Sequence, residues 1–219
     1  MHIVTYSYLI LPLSFLISKN KKKDIIPLTL AVYGILFFGL LISYDYLPKS
    51  IRAYYKGFYT LLEFMIFAFL FWKSIKSSKA KQFIFLTSLL FIVFQIIYVL
   101  TTKVKHLDTI PIGIETILIF IYIFLFFYEF ARNTNNLYIY SHYCFWIAGG
   151  ILIYLGGSFF FFILIEHLSD DQLASFGNLT YLAEVIKNLL FTLAIFIYIR
   201  YPSDGQKNKP NSVPFLDMI

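Results

Sequence analysis

The chain is poor in cysteine and in charge. Cys144 is the single cysteine among 219 residues. One thiol excludes an intrachain disulfide framework and a cysteine metal cluster. Charged residues make up 14% of the chain, against about a quarter in soluble domains, whereas 59% of its residues are hydrophobic. An ordinary soluble domain is therefore excluded.

Common catalytic patterns are also missing. The chain contains neither Gly-x-Ser-x-Gly nor His-Glu-x-x-His, the patterns of a serine hydrolase and a zinc peptidase. No two of its histidines stand at metal-ligand spacing on one predicted helix, so a zinc site is not expected. These histidines are His2, His106, His142 and His167. The residues identify no cofactor and give no pattern from which to assign an enzyme.

Long apolar stretches fill most of the chain instead. Each of the seven is close to the roughly 20 residues that an α-helix needs to cross a bilayer. They cover residues 2–18, 25–43, 58–75, 83–102, 110–130, 143–166 and 178–199. We predict an all-α fold, a polytopic bundle of seven transmembrane helices within residues 1–201. The first stretch is expected to be a retained helix, and the polar tail 202–219 is expected to be disordered in the cytoplasm.

The charges between the stretches predict an orientation. Loops one, three and five and the tail hold twelve Lys and Arg residues, and the opposite loops hold five. Cytoplasmic loops are the basic ones, so the N-terminus is expected outside and the C-terminus inside a cell (inner) membrane. Trp72 and Trp146 at the inner interface, and the acidic loop around Glu166, agree with this orientation. It also accounts for the net charge of +6 without a nucleic-acid partner.

Six polar side chains inside the stretches form the candidate site. At about 1.5 Å per residue, all six are expected in one layer of the outer half of the membrane, roughly 8–15 Å below its surface. The inner halves of the same stretches are almost entirely apolar. Such groups are costly in a bilayer and usually face a bundle interior or a wet cavity. The predicted ligand- or ion-binding residues are Glu63, Gln95, Glu115, Glu184, Lys187 and Asn188.

The last stretch concentrates three of these residues. Glu184 and Lys187 are three positions apart, and Glu184 and Asn188 four, so all three can share one helix face. With Glu63 and Glu115, three carboxylates are available to one ammonium, which predicts a protonated carboxyl, a bound cation or an external partner. The alternative is that these groups only set helix register.

Two further patterns predict contacts rather than chemistry. Small residues at Gly149-Gly150 and Gly156-Gly157 lie seven apart on one helix face, which favours a close helix–helix seam. Glu129 and Arg132 are three apart and are expected to pair as an anchor at the inner interface.

Known families offer one usable resemblance. A lysine in the last of seven spans is typical of retinal proteins, but their Arg-x-x-Asp and Trp-x-x-Tyr-Pro patterns are missing, and the internal repeat of SWEET-type transporters is not found. The segment from Phe145 through Gly149-Gly150 and Tyr154 to Phe160, with Asn188 to Phe191, resembles small bacterial seven-helix membrane proteins. These are similar to the membrane sensor modules of histidine kinases. The resemblance implies a sensory or accessory role and no catalytic residues.

The expected function is therefore sensing or signal relay, with a small ligand or ion bound in the outer-half polar pocket. Its partners would be the lipid bilayer and a cytoplasmic or membrane signalling protein. The alternatives are a small-solute or proton-coupled transporter, an intramembrane lipid-modifying enzyme and a retinal-type chromophore protein.

Overall fold

A computed structural model describes residues 2–17, 25–101, 109–132, 139–164 and 170–200. The tail 202–219, His106, the acidic loop around Glu166 and most of the basic first loop lie outside these ranges, so the predictions made on them are untested. All the regular structure in the described ranges is helical, which confirms the all-α prediction. The α-helices are α1 (His2–Ser7), α2 (Ile10–Ile17), α3 (Ile25–Tyr46), α4 (Lys49–Ser74), α5 (Ser78–Thr101), α6 (Thr109–Arg132), α7 (Tyr143–Leu164) and α8 (Asp170–Arg200).

Five of these helices are long and apolar enough to cross a membrane. They contain the segments Ile25–Tyr46, Lys49–Ser74, Ser78–Thr101, Ile110–Arg132 and Gly177–Ile199. Two shorter apolar segments, Ile3–Ile17 and Tyr143–Phe159, accompany them. Ile, Leu and Phe side chains are exposed along these helices, which suits a surface in contact with lipid. The helices support an integral, multi-pass membrane protein.

Many Ser and Thr hydroxyls within the helices make a hydrogen bond to the backbone of their own helix. Ser and Thr donate to the carbonyl oxygen one turn back, so their hydroxyls stay hydrogen-bonded where water is excluded. The pairs are Ser14 with Ile10, Thr29 with Ile25, Ser43 with Gly39, Ser74 with Leu70, Thr87 with Phe83, Thr101 with Ile97, Thr116 with Ile112, Ser158 with Tyr154 and Thr192 with Asn188.

Helix ends depart from the predicted bounds for local reasons. α4 begins at Lys49, nine residues before the predicted stretch, because Pro48 adopts an extended ψ of 144° and starts a new helix directly after α3. The first stretch is broken at Tyr8 and Leu9, between α1 and α2. Leu11 and Leu13 nevertheless donate to the Tyr8 and Leu9 carbonyls, so the break leaves these backbone groups paired.

α7 and α8 form the most extensive helix pair. A Cβ built at Gly150 would lie 3.3 Å from the Lys187 carbonyl oxygen, and one at Gly157 would lie 3.4 Å from the Ala183 Cβ. Gly149 and Gly156 have open space around them. The predicted seam is therefore confirmed, and one glycine of each pair makes it. Since Gly150 faces Lys187 and Gly157 faces Ala183, the two helices run antiparallel.

One end of the bundle is held by the loop between α4 and α5, at Ile75 to Ser77. The carboxylate of Glu129, on α6, accepts the backbone N–H groups of Lys76 at 2.7 Å and Ser77 at 2.9 Å. The predicted anchoring pair between Glu129 and Arg132 is not found among the described residues, where the Glu129 carboxylate holds these two backbone N–H groups instead. Cys144 Sγ donates to Ser74 Oγ, 2.7 Å away, which brings the start of α7 to the same end.

The close approach at Gly34 gives a first test. In Gly34→Ala the new Cβ would lie 2.6 Å from the Tyr8 carbonyl oxygen and 2.9 Å from the Leu11 Cβ, so α1 and α2 must move away from α3. We expect a loss of about 1–3 kcal/mol in the free energy of unfolding. Thermal unfolding in detergent measures it.

Gly39→Ala, on the same helix, is the matched control because nothing lies within 4 Å of its Cβ position. It should be neutral or stabilising by up to about 1 kcal/mol, since alanine favours helix. Equal destabilisation by both variants would contradict the described packing.

Candidate functional site

α8 directs its polar face into the bundle. Glu184, Lys187 and Asn188 are all buried, and Lys187 has 0% exposure. The helix packs against α7 through the glycine seam and also contacts α1, α2 and α3. An i, i+3, i+4 spacing on such a helix brings all three side chains into the protein interior.

The Lys187 ammonium has three oxygen partners. Nζ lies 2.6 Å from the Tyr33 hydroxyl, 3.2 Å from Glu63 Oε1 and 3.3 Å from the Tyr8 hydroxyl. An ammonium has three protons to donate, so the number of acceptors matches the number of donors. The contact with Glu63 is an ion pair in which both side chains are almost completely buried.

Aromatic faces complete the surroundings of this charge. Nζ lies 3.7 Å from the centroid of the Tyr154 ring and 5.2 and 5.3 Å from those of Tyr33 and Tyr8. The Phe67 ring follows at 5.9 Å. A cation over an aromatic face is stabilised by the ring quadrupole, most strongly where water is absent. The rings therefore replace part of the hydration that Lys187 loses.

Each carboxylate of the group receives tyrosine hydroxyls. Tyr33 donates to Glu63 Oε1 at 2.8 Å and Tyr154 to Glu63 Oε2 at 2.9 Å. Tyr8 donates a hydrogen bond to Glu184 Oε1, and the Tyr59 hydroxyl lies 3.5 Å from the same oxygen. Hydrogen bonds to charged oxygens are stronger than neutral ones, so both carboxylates are held in place.

We call the whole group the Lys187 cluster. Its members come from the α1–α2 turn and from α3, α4, α7 and α8, and they are Tyr8, Tyr33, Tyr59, Glu63, Tyr154, Glu184 and Lys187. A continuous path of hydrogen bonds runs from Glu63 through Lys187 and Tyr8 to Glu184. The cluster is thus the polar junction of the bundle.

The cluster holds two carboxyl groups and one ammonium. With all three ionised it carries one uncompensated negative charge in a region that water does not reach, and such a charge is costly. One additional proton would remove it. Because Glu63 and Glu184 are linked through Lys187 and the tyrosines, such a proton belongs to the group rather than to either residue alone. The arrangement is able to take up and release a proton.

Asn188 lies beside the cluster but binds elsewhere. Its Nδ2 donates to the Ser7 hydroxyl at 2.7 Å, which ties α8 to the end of α1. Its Oδ1 is buried and has no hydrogen-bond partner among the described residues. Ser7 in turn donates to the Val4 carbonyl, so this contact continues into the backbone of α1.

The remaining two predicted residues make no hydrogen bond to the cluster among the described residues, although Glu115 lies close enough to Glu63 and Lys187 to interact with them electrostatically. Gln95 donates from Nε2 to the Gly57 carbonyl, 3.2 Å away, and joins α5 to α4. Gly57 is six residues, about 9 Å, from Glu63 along α4. Glu115 on α6 is buried, and within the described part of the chain neither its Oε1 nor Gln95 Oε1 has a hydrogen-bond partner. The six predicted residues are all buried, and three of them, Glu63, Glu184 and Lys187, are in direct or bridged contact.

The four tyrosines of the cluster were not predicted as site residues. Only ionisable and amide side chains were expected at the site, although a buried tyrosine hydroxyl also needs a hydrogen-bond partner. One signal was present, because Tyr59 is four residues before Glu63 and therefore on the same face of α4. The partners of Tyr8 and Tyr154 are far away in sequence, and no spacing rule could have found them.

Metal binding finds no support in the described part of the chain, where no three His, Cys, Asp or Glu side chains are placed to hold an ion together. The chain matches no protein-family model, no curated protein and no solved structure. The resemblance to small seven-helix sensor proteins therefore stays a prediction.

The ion pair can be tested with a double-mutant cycle. Lys187→Met removes the ammonium and leaves Glu63 buried without its counter-ion, which should lower the free energy of unfolding by about 3–5 kcal/mol. The double variant Glu63→Gln/Lys187→Met removes both charges. Its loss in the free energy of unfolding should be smaller than the summed losses of the two single variants, by roughly 0.5–3 kcal/mol. Unfolding in mixed detergent micelles measures both quantities.

Lys49→Met, at the exposed start of α4, is the matched control and should change stability little. Strict additivity of the Glu63 and Lys187 variants would mean that the pair does not interact.

Proposed function

We propose that this protein is a proton-responsive sensor or signal relay in the cell membrane. The observation that carries the proposal is the Lys187 cluster, in which the buried ammonium binds Glu63 directly and is linked to Glu184 through Tyr8, among aromatic rings. Its role is to take up or release a proton and to pass the resulting change in helix packing to the ends of the bundle.

The proposal includes seven spans with the N-terminus outside and the C-terminus in the cytoplasm. The five long helices account for five spans, and the segments Ile3–Ile17 and Tyr143–Phe159 would supply the other two. α7 lies antiparallel beside α8 over much of its length, as a spanning neighbour would. The excess of Lys and Arg in alternate loops supports the orientation.

A proton suits this site better than a larger ligand. Lys187 has 0% exposure and Glu63 only 2%, so a metabolite would have to displace several packed side chains. A proton needs only a change in hydrogen bonding among the cluster members. A retinal-type chromophore would need a free amine at Lys187, where the ammonium instead has three acceptors.

Protonation would change the packing of several helices together. A proton on Glu63 would neutralise the partner of Lys187 and weaken the link between α4 and α8. A proton on Glu184 would change the acceptor of Tyr8 and hence the link between α8 and the α1–α2 turn. A switch of this kind needs two packings close in free energy, which a change in local charge then biases. A signalling partner at the cytoplasmic helix ends would read the result.

Infrared difference spectroscopy of the reconstituted protein tests proton binding directly. Between pH 8 and pH 5 we expect the band of a protonated carboxyl group to change, and Glu184→Gln and Glu63→Gln to remove or shift that change. Burial, with Lys76 adding to it, lowers the pKa of His142 to about 4, so His142 stays neutral through most of this range. Asp45→Asn, at an exposed carboxyl, is the control and should leave the band as it is.

The relay is measured in the same samples. Spin labels at Lys73→Cys on α4 and Phe196→Cys on α8 occupy exposed positions, and the native Cys144 is buried. The distance between them should change with pH in the parent and stay constant in Glu184→Gln. A pH-independent carboxyl band and a constant distance in the parent would contradict the proposal and mean that the cluster has only a structural role.

A proton-coupled transporter is the second candidate, and the broken first helix favours it. Transporters commonly build their sites from discontinuous helices. Tyr8 lies in the break between α1 and α2 and donates to Glu184 in the cluster. The same side chains could then couple proton movement to the passage of a solute.

Vesicles with an internal pH dye separate this function from sensing. Sugars and amino acids are added one at a time outside the vesicles. If the protein is a transporter, one of these solutes should start proton entry, and Glu63→Gln should stop it. Proton entry unchanged by every added solute, together with the carboxyl band described above, would exclude coupled transport of these solutes and leave sensing.

A further inference from the structure

α4 and α5 form a groove on the outside of the bundle, on the face of α4 opposite Glu63. The groove has a volume of about 310 Å³, at the lower end of the range for ligand pockets, and it opens sideways. Ser88 is its one polar lining residue. The lining residues are Met65, Ala68, Phe69, Trp72, Ile84, Phe85 and Ser88.

The groove faces the surroundings of the bundle rather than its interior. α5 is the least buried of the five long helices, with 17% of its span buried. Phe85 and Met65 in the groove are exposed, as are Leu86 and Leu89 beside it. In a membrane protein such a surface contacts the acyl chains of lipids. An acyl chain therefore suits this groove better than a soluble metabolite does.

One end of the groove is basic. Trp72 lies there, and Lys81 Nζ is 5.3 Å from the centroid of its ring. Lys73, Lys76 and Lys79 are exposed at the same end. The nearby carboxylate, Glu129, accepts the backbone N–H groups of Lys76 and Ser77 and so is already engaged. Four ammonium groups against this single carboxylate make the mouth of the groove electropositive.

The walls of the groove are held in place without an occupant. Glu129 holds the loop that joins α4 to α5, and the rings of Phe69 and Trp72 stack with their centroids 6.3 Å apart. Ser88 Oγ lies 3.2 Å from the Tyr122 hydroxyl on α6, which fixes α5 at the apolar end. A preformed site loses less entropy on binding than one that must assemble.

We propose that this groove binds an anionic phospholipid, with one acyl chain between α4 and α5 and the phosphate at Lys81 and Trp72. An indole ring and basic side chains are the groups that settle at the headgroup level of a bilayer. Basic pockets between transmembrane helices select anionic headgroups, because the ammonium groups meet the charge of the lipid. A zwitterionic lipid fills the same groove without that attraction.

Native mass spectrometry of the full-length protein in detergent tests the site. With phosphatidylglycerol and phosphatidylcholine of identical acyl chains, we expect retention of phosphatidylglycerol to be clearly stronger. Lys81→Gln should reduce this preference by about fivefold, and Lys79→Gln/Lys81→Gln further. Lys49→Gln, at the opposite end of α4, should not reduce it. Equal retention of both lipids, or equal effects of Lys81→Gln and Lys49→Gln, would overturn the proposal.

The acyl-chain part is tested by filling the groove. Ser88→Phe places a ring where the chain would lie and should reduce retention of phosphatidylglycerol, whereas Leu89→Phe, one residue further and outside the lining, should not. Unchanged thermal unfolding of Ser88→Phe shows that the fold is intact. Inorganic phosphate should not displace the bound lipid. If phosphate does so and Ser88→Phe has no effect, the basic end is an anion site without a lipid and the proposal is wrong.

Discussion

The ion pair between Lys187 and Glu63 is the interaction on which the interior of this bundle depends. Removing an ammonium and a carboxylate from water costs several kcal/mol for each ion, on the order of the whole stability of a small domain. The protein offsets this cost with three tyrosine hydroxyls and a set of aromatic faces around the two charges. These side chains come from separate helices, so the contacts that replace water around the ion pair are also contacts that pack the helices together.

In the proposed function, this arrangement is what lets a single proton act on several helices at once. In most helix pairs, apolar contacts tolerate small displacements, and no one contact decides the packing. Here the positions of α3, α4, α7, α8 and the α1–α2 turn all depend on which oxygens carry charge in the Lys187 cluster. A change of one charge would therefore alter the contacts of five elements directly, which is the property that a sensor or a coupled transporter needs.

The helices could be predicted from the sequence because a lipid environment leaves the backbone almost no other structure. The break at Tyr8 could also have been predicted, because Pro12 has no N–H to donate to the Tyr8 carbonyl four residues back and its ring crowds that carbonyl. In the site, the spacing of Glu184, Lys187 and Asn188 predicted a shared face on one helix. The depth of a residue in the membrane, inferred from its position in an apolar stretch, could not show that Glu63 forms the ion pair with Lys187 and Glu115 does not. Depth does not determine which helices are neighbours or which way a side chain points.

The distance in sequence between the two charges also constrains how the protein is made. Glu63 precedes Lys187 by 124 residues. At a synthesis rate of about 5–20 residues per second, roughly 6–25 s pass between the appearance of the acid and that of its counter-ion. During this interval Glu63 lacks its counter-ion, and Tyr33 is the only one of its hydroxyl partners already made, since Tyr154 also comes later in the chain. The last helix therefore completes the electrostatics of the bundle as well as its packing, and a chain that stalls before α8 leaves an unpaired acid in the membrane, a feature by which quality control could recognise it.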